Sequence, residues 1–291
     1  MASQLAAIVA PVFLCIAIGI SWARFGPPFD GDLITSLVYN IGVPCLIVAV
    51  FHKVEISPRA LGEIALATLA CYAGFFAFAF AVVRLARLDV PSYLPSLVFP
   101  LTGSMGMPVC YFAYGDVGLA LAIVFFTFGA IGTFTIGAAI AEGTWSLGKL
   151  VRTPVIYAVA LAVGLQLAGL RVPDWIFNAT NLLGAMVIPA QLVALGVSLL
   201  QLRIDGAACS AALASFRLGM GAGVGFGVAA LFGLEGAARA VVVLQSAMPV
   251  AVSSYLFAQQ FRRKPEEVAG MVVVSTAVSV VTLPLLLLAL L

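Results

Sequence analysis

Charge is what this chain has least of. Asp, Glu, Lys and Arg together make up 9% of its 291 residues, where a soluble domain carries roughly 25%, so a water-soluble globular fold is excluded. Histidine occurs once, at His52 beside Lys53, where it reads as a solvated loop residue. With no Cys-x-x-Cys and no Cys/His spacing, no metal site is expected. Cys15, Cys45, Cys71, Cys110 and Cys209 fall singly inside apolar runs and read as buried thiols, not as a disulfide framework. A net charge of +2 leaves no electrostatic footprint for nucleic acid. The apolar segments hold no carboxylate cluster, GxGD-type acid or activated nucleophile, so a membrane enzyme is set aside and no catalytic residue or cofactor is expected. A basic segment ahead of the first apolar run is also missing. Arg24, the first arginine, follows that run, which argues against a cleaved signal peptide and for a first span with its N-terminus outside.

Hydrocarbon is what is there. The chain is 63% apolar with a mean hydropathy of +1.18. Runs on the order of 20 residues, enough to span a bilayer as helix, occur at 5–22, 33–51, 61–86, 93–113, 117–140, 154–170, 176–200, 207–232, 236–260 and 267–290. A span must satisfy its own backbone, so the expected fold is all-α: one polytopic domain, 1–291, of ten transmembrane helices with the lipid bilayer as its solvent. Placing the N-terminus outside puts Arg24, Arg84, Arg87, Lys149, Arg152, Arg203, Arg262, Arg263 and Lys264 in cytoplasmic loops. Lys53, Arg59, Arg171 and Arg239 then lie opposite. That imbalance predicts both termini on the extracytoplasmic side of the cell (inner) membrane.

Prolines disclose a repeat. Pro11 pairs with Pro154, Pro44 with Pro189 and Pro108 with Pro249, the last two sharing the tripeptide MPV. Three matches in order divide the chain at 1–145 and 146–291, five spans each. Five is odd, so the second repeat enters the membrane from the opposite side, the inverted arrangement of secondary transporters. Spans four and nine then carry interruptions at equivalent depth. Gly103 and Gly106 loosen the first further. Each break frees backbone groups that hydrocarbon tolerates only beside protein or a wet cavity, and half-helix N-termini there would favour a carboxylate. Thr102, Ser104 and Tyr111 flank one break; Gln245, Ser246, Ser253, Ser254 and Tyr255 flank the other. Each hydroxyl could equally bond back to its own helix. No acid or base stands at the centre of either span. Arg217, ten residues into span eight, is expected to snorkel to the cytoplasmic face.

In order and spacing, YNIGVPCLI (39–47), LTGSMGMPVCYFAYGDVGLALA (101–122), RTPVIYAVALAVGL (152–165), IPAQLVALGVSL (188–199), QSAMPVAVSSYLFAQQF (245–261) and VVSTAVSVVTLPLLL (273–287) resemble the auxin efflux carrier family. That family includes bacterial malonate and malate permease-like proteins and plant PIN-type exporters. The resemblance implies a 5+5 inverted repeat with crossing helices four and nine broken at Pro108 and Pro249. It further implies scaffold helices at 5–51 and 154–200 and a moving transport domain at 61–140 and 207–290. Members carry organic anions by an elevator-like motion and often pair as homodimers through the scaffold; bile-acid sodium symporters are similar in fold. Carried over as substrate-binding residues are Thr102, Gly103, Ser104, Met107, Pro108, Tyr111, Gln245, Ser246, Met248, Pro249 and Ser253. Family members often place Asn where this chain has Leu101 and Ser253, and an Asn pair where it reads TFGAIG, which points to a less polar or differently shaped ligand. The leading expectation is thus a secondary carrier of small organic anions. A sodium- or proton-coupled organic-acid symporter is the alternative, and a ligand-binding membrane sensor that moves nothing is the rival of another class.

Overall fold

Caps and prolines decide where the helices start. In the computed structural model, which describes residues 2–54, 57–143, 154–170, 172–202 and 207–290, the regular structure is helical apart from one isolated antiparallel bridge. Helix α1 spans Ala2–Phe25. Asp30 caps α2 (Gly31–Leu37) by accepting from the Leu33 amide at 2.9 Å. A π-helical turn, Val38–Gly42, leads into α3 (Val43–Lys53). Ser57 caps α4 (Pro58–Leu85), and Asp89 caps α5 (Val90–Val98) by accepting from the Ser92 amide at 3.1 Å. A second π turn, Thr102–Gly106, opens α6 (Met107–Gly132), and a third, Thr133–Gly137, leads into α7 (Ala138–Glu142). The remainder is α8 (Pro154–Leu167), α9 (Asp174–Ala185), α10 (Val187–Gln201), α11 (Ala207–Leu231), α12 (Gly236–Ser246), α13 (Val252–Gln260) and α14 (Pro265–Leu290).

Two of the π turns sit directly before a proline. Val43 donates to the Val38 carbonyl ahead of Pro44, and Met107 to the Thr102 carbonyl ahead of Pro108. Proline has no amide hydrogen and its ring crowds the carbonyl one turn back; widening that turn by a residue relieves both conflicts without ending the helix.

Among the described residues, seven helices are long and apolar enough to cross a membrane. Of these, Thr102–Glu142 runs for 41 residues, about 60 Å of helix at 1.5 Å per residue, twice a hydrocarbon core of about 30 Å. It bends at Gly115, whose φ of 63° and ψ of −152° suit only glycine. Beyond the bend the chain doubles back, so that a Cβ on Gly118 would lie 2.4 Å from the Cys110 carbonyl oxygen. The runs read from sequence as 93–113 and 117–140 meet at this bend. Helices α5, α12 and α13, at 9, 11 and 9 residues, are too short to cross alone.

Packing follows small residues. Helix α1 lies along α10, where a Cβ on Gly19 would sit 2.1 Å from the Val193 carbonyl oxygen and one on Gly196 2.1 Å from that of Ile16. Helix α3 packs on α8 and α9, α4 on α5, α6 and α11, and α11 on α12 and α14. Helix α4 shows how polarity is arranged without water outside: Thr68, Cys71, Phe75 and Ala79 are buried one turn apart, while Leu66, Leu69, Phe76 and Phe80 face outward.

Gly196→Ala or Gly19→Ala is expected to wedge α1 from α10 and to destabilise the purified protein by about 1–3 kcal/mol, read as a lower melting temperature in detergent. Gly164→Ala, which meets open space, is expected to leave melting unchanged. Equal melting of all three would contradict this account of the α1–α10 contact.

Candidate functional site: the crossing of two broken helices

Helix α5 stops at Val98 and α12 at Ser246, both among buried residues. Phe99, held extended (φ −100°, ψ 108°) by the proline that follows, turns the chain out of the helix. The two interruptions then meet antiparallel at Pro100 and Val250. Leu101 donates its amide to the Pro249 carbonyl at 2.8 Å, and Ala251 donates to the Phe99 carbonyl at 3.3 Å. Pro100 and Val250 thus occupy a non-hydrogen-bonded pair, whose amides point away from the partner strand. Pro100 has none to lose, and the Val250 amide donates to Ser275 Oγ of α14 at 3.0 Å. Leu101 (φ −76°, ψ 60°) centres an inverse γ-turn closed by the Thr102 amide on the Pro100 carbonyl at 2.9 Å.

This geometry corrects the expected crossing point. The proline repeat matched Pro108 to Pro249, but the residue that meets the Pro249 break is Pro100. Pro108 lies within a turn that the π geometry has already widened, so the helix continues through it. Pro100 has no such relief and the helix ends.

Immediately past the crossing two helices begin. The Gly103, Ser104 and Met105 amides start one and those of Val252 and Ser253 the other, with no upstream carbonyl in helical register. Thr102 and Gly103 are buried, Ser104 and Ser253 half-buried. Gln245 is fully buried, and neither of its amide atoms has a partner. Its Oε1 would lie 2.1 Å from a Cβ on Gly106, so its side chain rests on the first turns leading into α6. Tyr72 of α4 brings a buried hydroxyl, also unpartnered, against Gly129, whose Cβ position is 3.6 Å from Thr102 Oγ1. Tyr39, from the π turn before α3, sets its hydroxyl 3.6 Å from the Cβ position of Gly103.

Of the residues expected from sequence, Thr102, Gly103, Ser104, Gln245, Ser246, Met248, Pro249 and Ser253 lie on or beside the two interruptions. Met107 and Pro108 are buried in the turn that follows. Tyr111 is turned outward, 37% exposed, with its ring against Phe112, and takes no part in the cluster. Pro100, Tyr72, Tyr39 and Ser275 were not anticipated. The tripeptide Phe99-Pro100-Leu101, just ahead of Thr102-Gly103-Ser104, was the available signal for the first of these.

Arg217 is placed differently from expectation. It does not snorkel: its side chain is fully buried, its Nη2 donates to the Ser246 carbonyl at 3.1 Å, and its guanidinium carbon lies 4.8 Å from the centre of the Phe75 ring. The Ser246 hydroxyl in turn donates to Cys71 Sγ at 3.5 Å. Arg217 faces α4 and α12 and not the membrane surface, which takes away the snorkelling route. An open cavity of about 510 Å³ lies elsewhere, between α3 and α8, and His52 lines it beside Phe177 instead of standing free in a loop.

Residues 143–287 match the family model described as Membrane transport protein. An uncharacterized transporter of Methanothermobacter thermautotrophicus is 25% identical over 271 residues, covering 88% of each chain. An uncharacterized transporter of Methanocaldococcus jannaschii is 23% identical over 194 residues, and there the match spans 63% of each chain. The matched region takes in α12, the second break and most of α14; over these residues the chain matches the membrane transport protein family, in agreement with the auxin efflux carrier motifs read from the sequence.

Proposed function

We propose that this protein is a secondary carrier of small organic anions, carboxylates above all, and that the cargo sits where the two broken helices cross. The observation that carries this reading is the mutual pairing of the breaks. It leaves two helix N-termini at one buried place beside the unpartnered amide of Gln245. Each N-terminus presents free amides and about half a positive charge, which suits a carboxylate without any lysine.

The reading extends to the whole chain. The antiparallel bridge between the breaks supports an inverted 5+5 repeat, and the doubling back at Gly115 supports two spans within Thr102–Glu142. The seven long helices then count as eight spans, which with α8 and the broken pair α12–α13 make ten. Helices α1, α3, α8, α9 and α10 pack largely on one another, as do α4 to α6 with α11 to α14. In this proposal the first group is the scaffold and the second the transport domain. Because the crossing is buried, cargo reaches water only when one group shifts against the other, an elevator-type alternating access. Homodimers through the scaffold, residence in the cell (inner) membrane and extracytoplasmic termini complete the proposal. An inside-negative potential contributes about 2.3 kcal/mol per charge per 100 mV, so an uncoupled carrier of this kind exports its anion.

Counterflow in proteoliposomes tests the reading. Vesicles loaded with one of a panel of unlabelled mono- and dicarboxylates are expected to take up the labelled compound faster than empty ones; no acceleration with any of them would contradict a carrier. Gly106→Ala, which drives a methyl into Gln245, and Pro249→Ala are each expected to slow counterflow about tenfold or more, equivalent to about 1.4 kcal/mol, with insertion unchanged. Wild-type rates in both would remove the crossing as the cargo site. Collapsing the membrane potential, with no sodium or pH gradient present, is expected to abolish net accumulation, and undiminished accumulation would require a coupling ion.

A further inference from the structure

Arg217 is the only charged side chain fully buried among the described residues, and no carboxylate there pairs with it. An uncompensated charge at such a place is costly, so its surroundings must supply the negative potential. They do so through a helix end. Helix α12 terminates at Ser246, and the carbonyl of that residue receives the guanidinium; a helix C-terminus carries about half a negative charge. The approach is built into α11. A Cβ on Gly221 would lie 2.2 Å from the Ser246 carbonyl oxygen and 2.6 Å from Arg217 Nη1, and one on Gly225 2.9 Å from Ser246 Cβ. Arg217, Gly221 and Gly225 form one stripe at helical spacing, whose glycines let the end of α12 come within reach. From α4, the face of Phe75 and the thiol of Cys71 complete the surroundings, without an acid.

In carriers built on broken helices, the half-helix C-termini are where a co-transported sodium ion or proton is held. We infer that Arg217 is a resident cation in that seat, so that this protein carries its anion with no co-transported alkali cation. The inference rests on the carrier reading above and deepens it. The charges balance on that basis. The ends of α5 and α12 together contribute about one negative charge, and the two helix starts past the crossing about one positive charge. The guanidinium cancels the first, leaving the second to a single carboxylate. With the seat filled by a side chain, the transported charge is that of the anion alone. Nε and Nη1 make no hydrogen bond among the described residues.

Two measurements test this, one needing no substrate. The purified wild-type protein and Arg217→Ala are melted in sodium, potassium and choline chloride at equal ionic strength, with and without millimolar guanidinium chloride. Wild-type melting is expected to be the same in all three salts. Arg217→Ala is expected to melt lower and to be restored by guanidinium but not by choline. A wild-type protein stabilised by sodium over choline would overturn the inference, as would an Arg217→Ala or Arg217→Met variant that melts and transports as the wild type does. Should the variants fail to fold, wild-type carboxylate counterflow in sodium-free choline medium decides: an unchanged rate supports a resident cation, and a sodium requirement overturns it. Absence of counterflow in every medium, with sodium-indifferent melting retained, would sink the carrier reading while leaving the cation seat standing.

Discussion

A hydrocarbon interior offers nothing to a backbone amide or carbonyl that has left its helix, and each such group costs several kcal/mol. The rest of this structure depends on how that constraint is met at one place. Two helices stop in the middle of the bundle, and the groups each releases are taken up by the other across Pro100 and Val250. Neither break is stable by itself, so the two halves of the chain are held in register by the same bonds that allow both helices to be interrupted. The one amide hydrogen of the pair, that of Val250, is satisfied by Ser275, which ties α14 to the crossing as well.

What the pairing leaves over is charge without ionisable groups. Backbone dipoles end at the crossing in both directions, and the side chains placed there are neutral: Thr102, Ser104, Gln245, Ser253 and the hydroxyl of Tyr72. The one formal charge, Arg217, stands behind the C-terminal end of α12, screened from the outside by α4 and α11. Small residues make this density possible. Gly106 admits Gln245, Gly129 admits Tyr72, and Gly221 admits the guanidinium and the carbonyl it binds. A side chain at any of these would push apart the groups that shape the site. On the proposed reading the same residues set function and packing, and this region, rich in glycine and proline, is also among the most buried.

How much of this was legible follows from what each signal measures. Apolar runs report burial in lipid: the described residues hold seven helices long and apolar enough to cross, and two of the runs meet at Gly115, but the runs 93–113 and 236–260 hide the breaks inside them. Proline periodicity reports where a helix is disturbed but not how it responds. Pro44 and Pro108 are accommodated by a widened turn, whereas Pro100, after an extended Phe99, ends its helix. Only the backbone partners decide between these outcomes, and those come from the other half of the chain. Pro108 was accordingly taken for the crossing, and Tyr111, on the same helix, for a cargo contact. Arg217 was conspicuous in the sequence as an arginine inside an apolar run. Its direction was not, because the helix end that stabilises it lies 29 residues further on. Tyr72 and Tyr39 carried no local signal at all, since an aromatic residue in an apolar span reads as packing until its hydroxyl is placed: that of Tyr72 lacks a partner, and that of Tyr39 lies against Gly103.

The central claim is that anion and backbone meet at the paired breaks. The most direct measurement is a cryo-EM map of the protein with a bound carboxylate, chosen as the one that gives the strongest counterflow. The account predicts density for the carboxylate within hydrogen-bonding distance of the Gly103–Met105 or Val252–Ser253 amides, with residues 99–101 and 249–251 paired. Carboxylate density in the cavity between α3 and α8, or unbroken helices through residues 100 and 250, would contradict it.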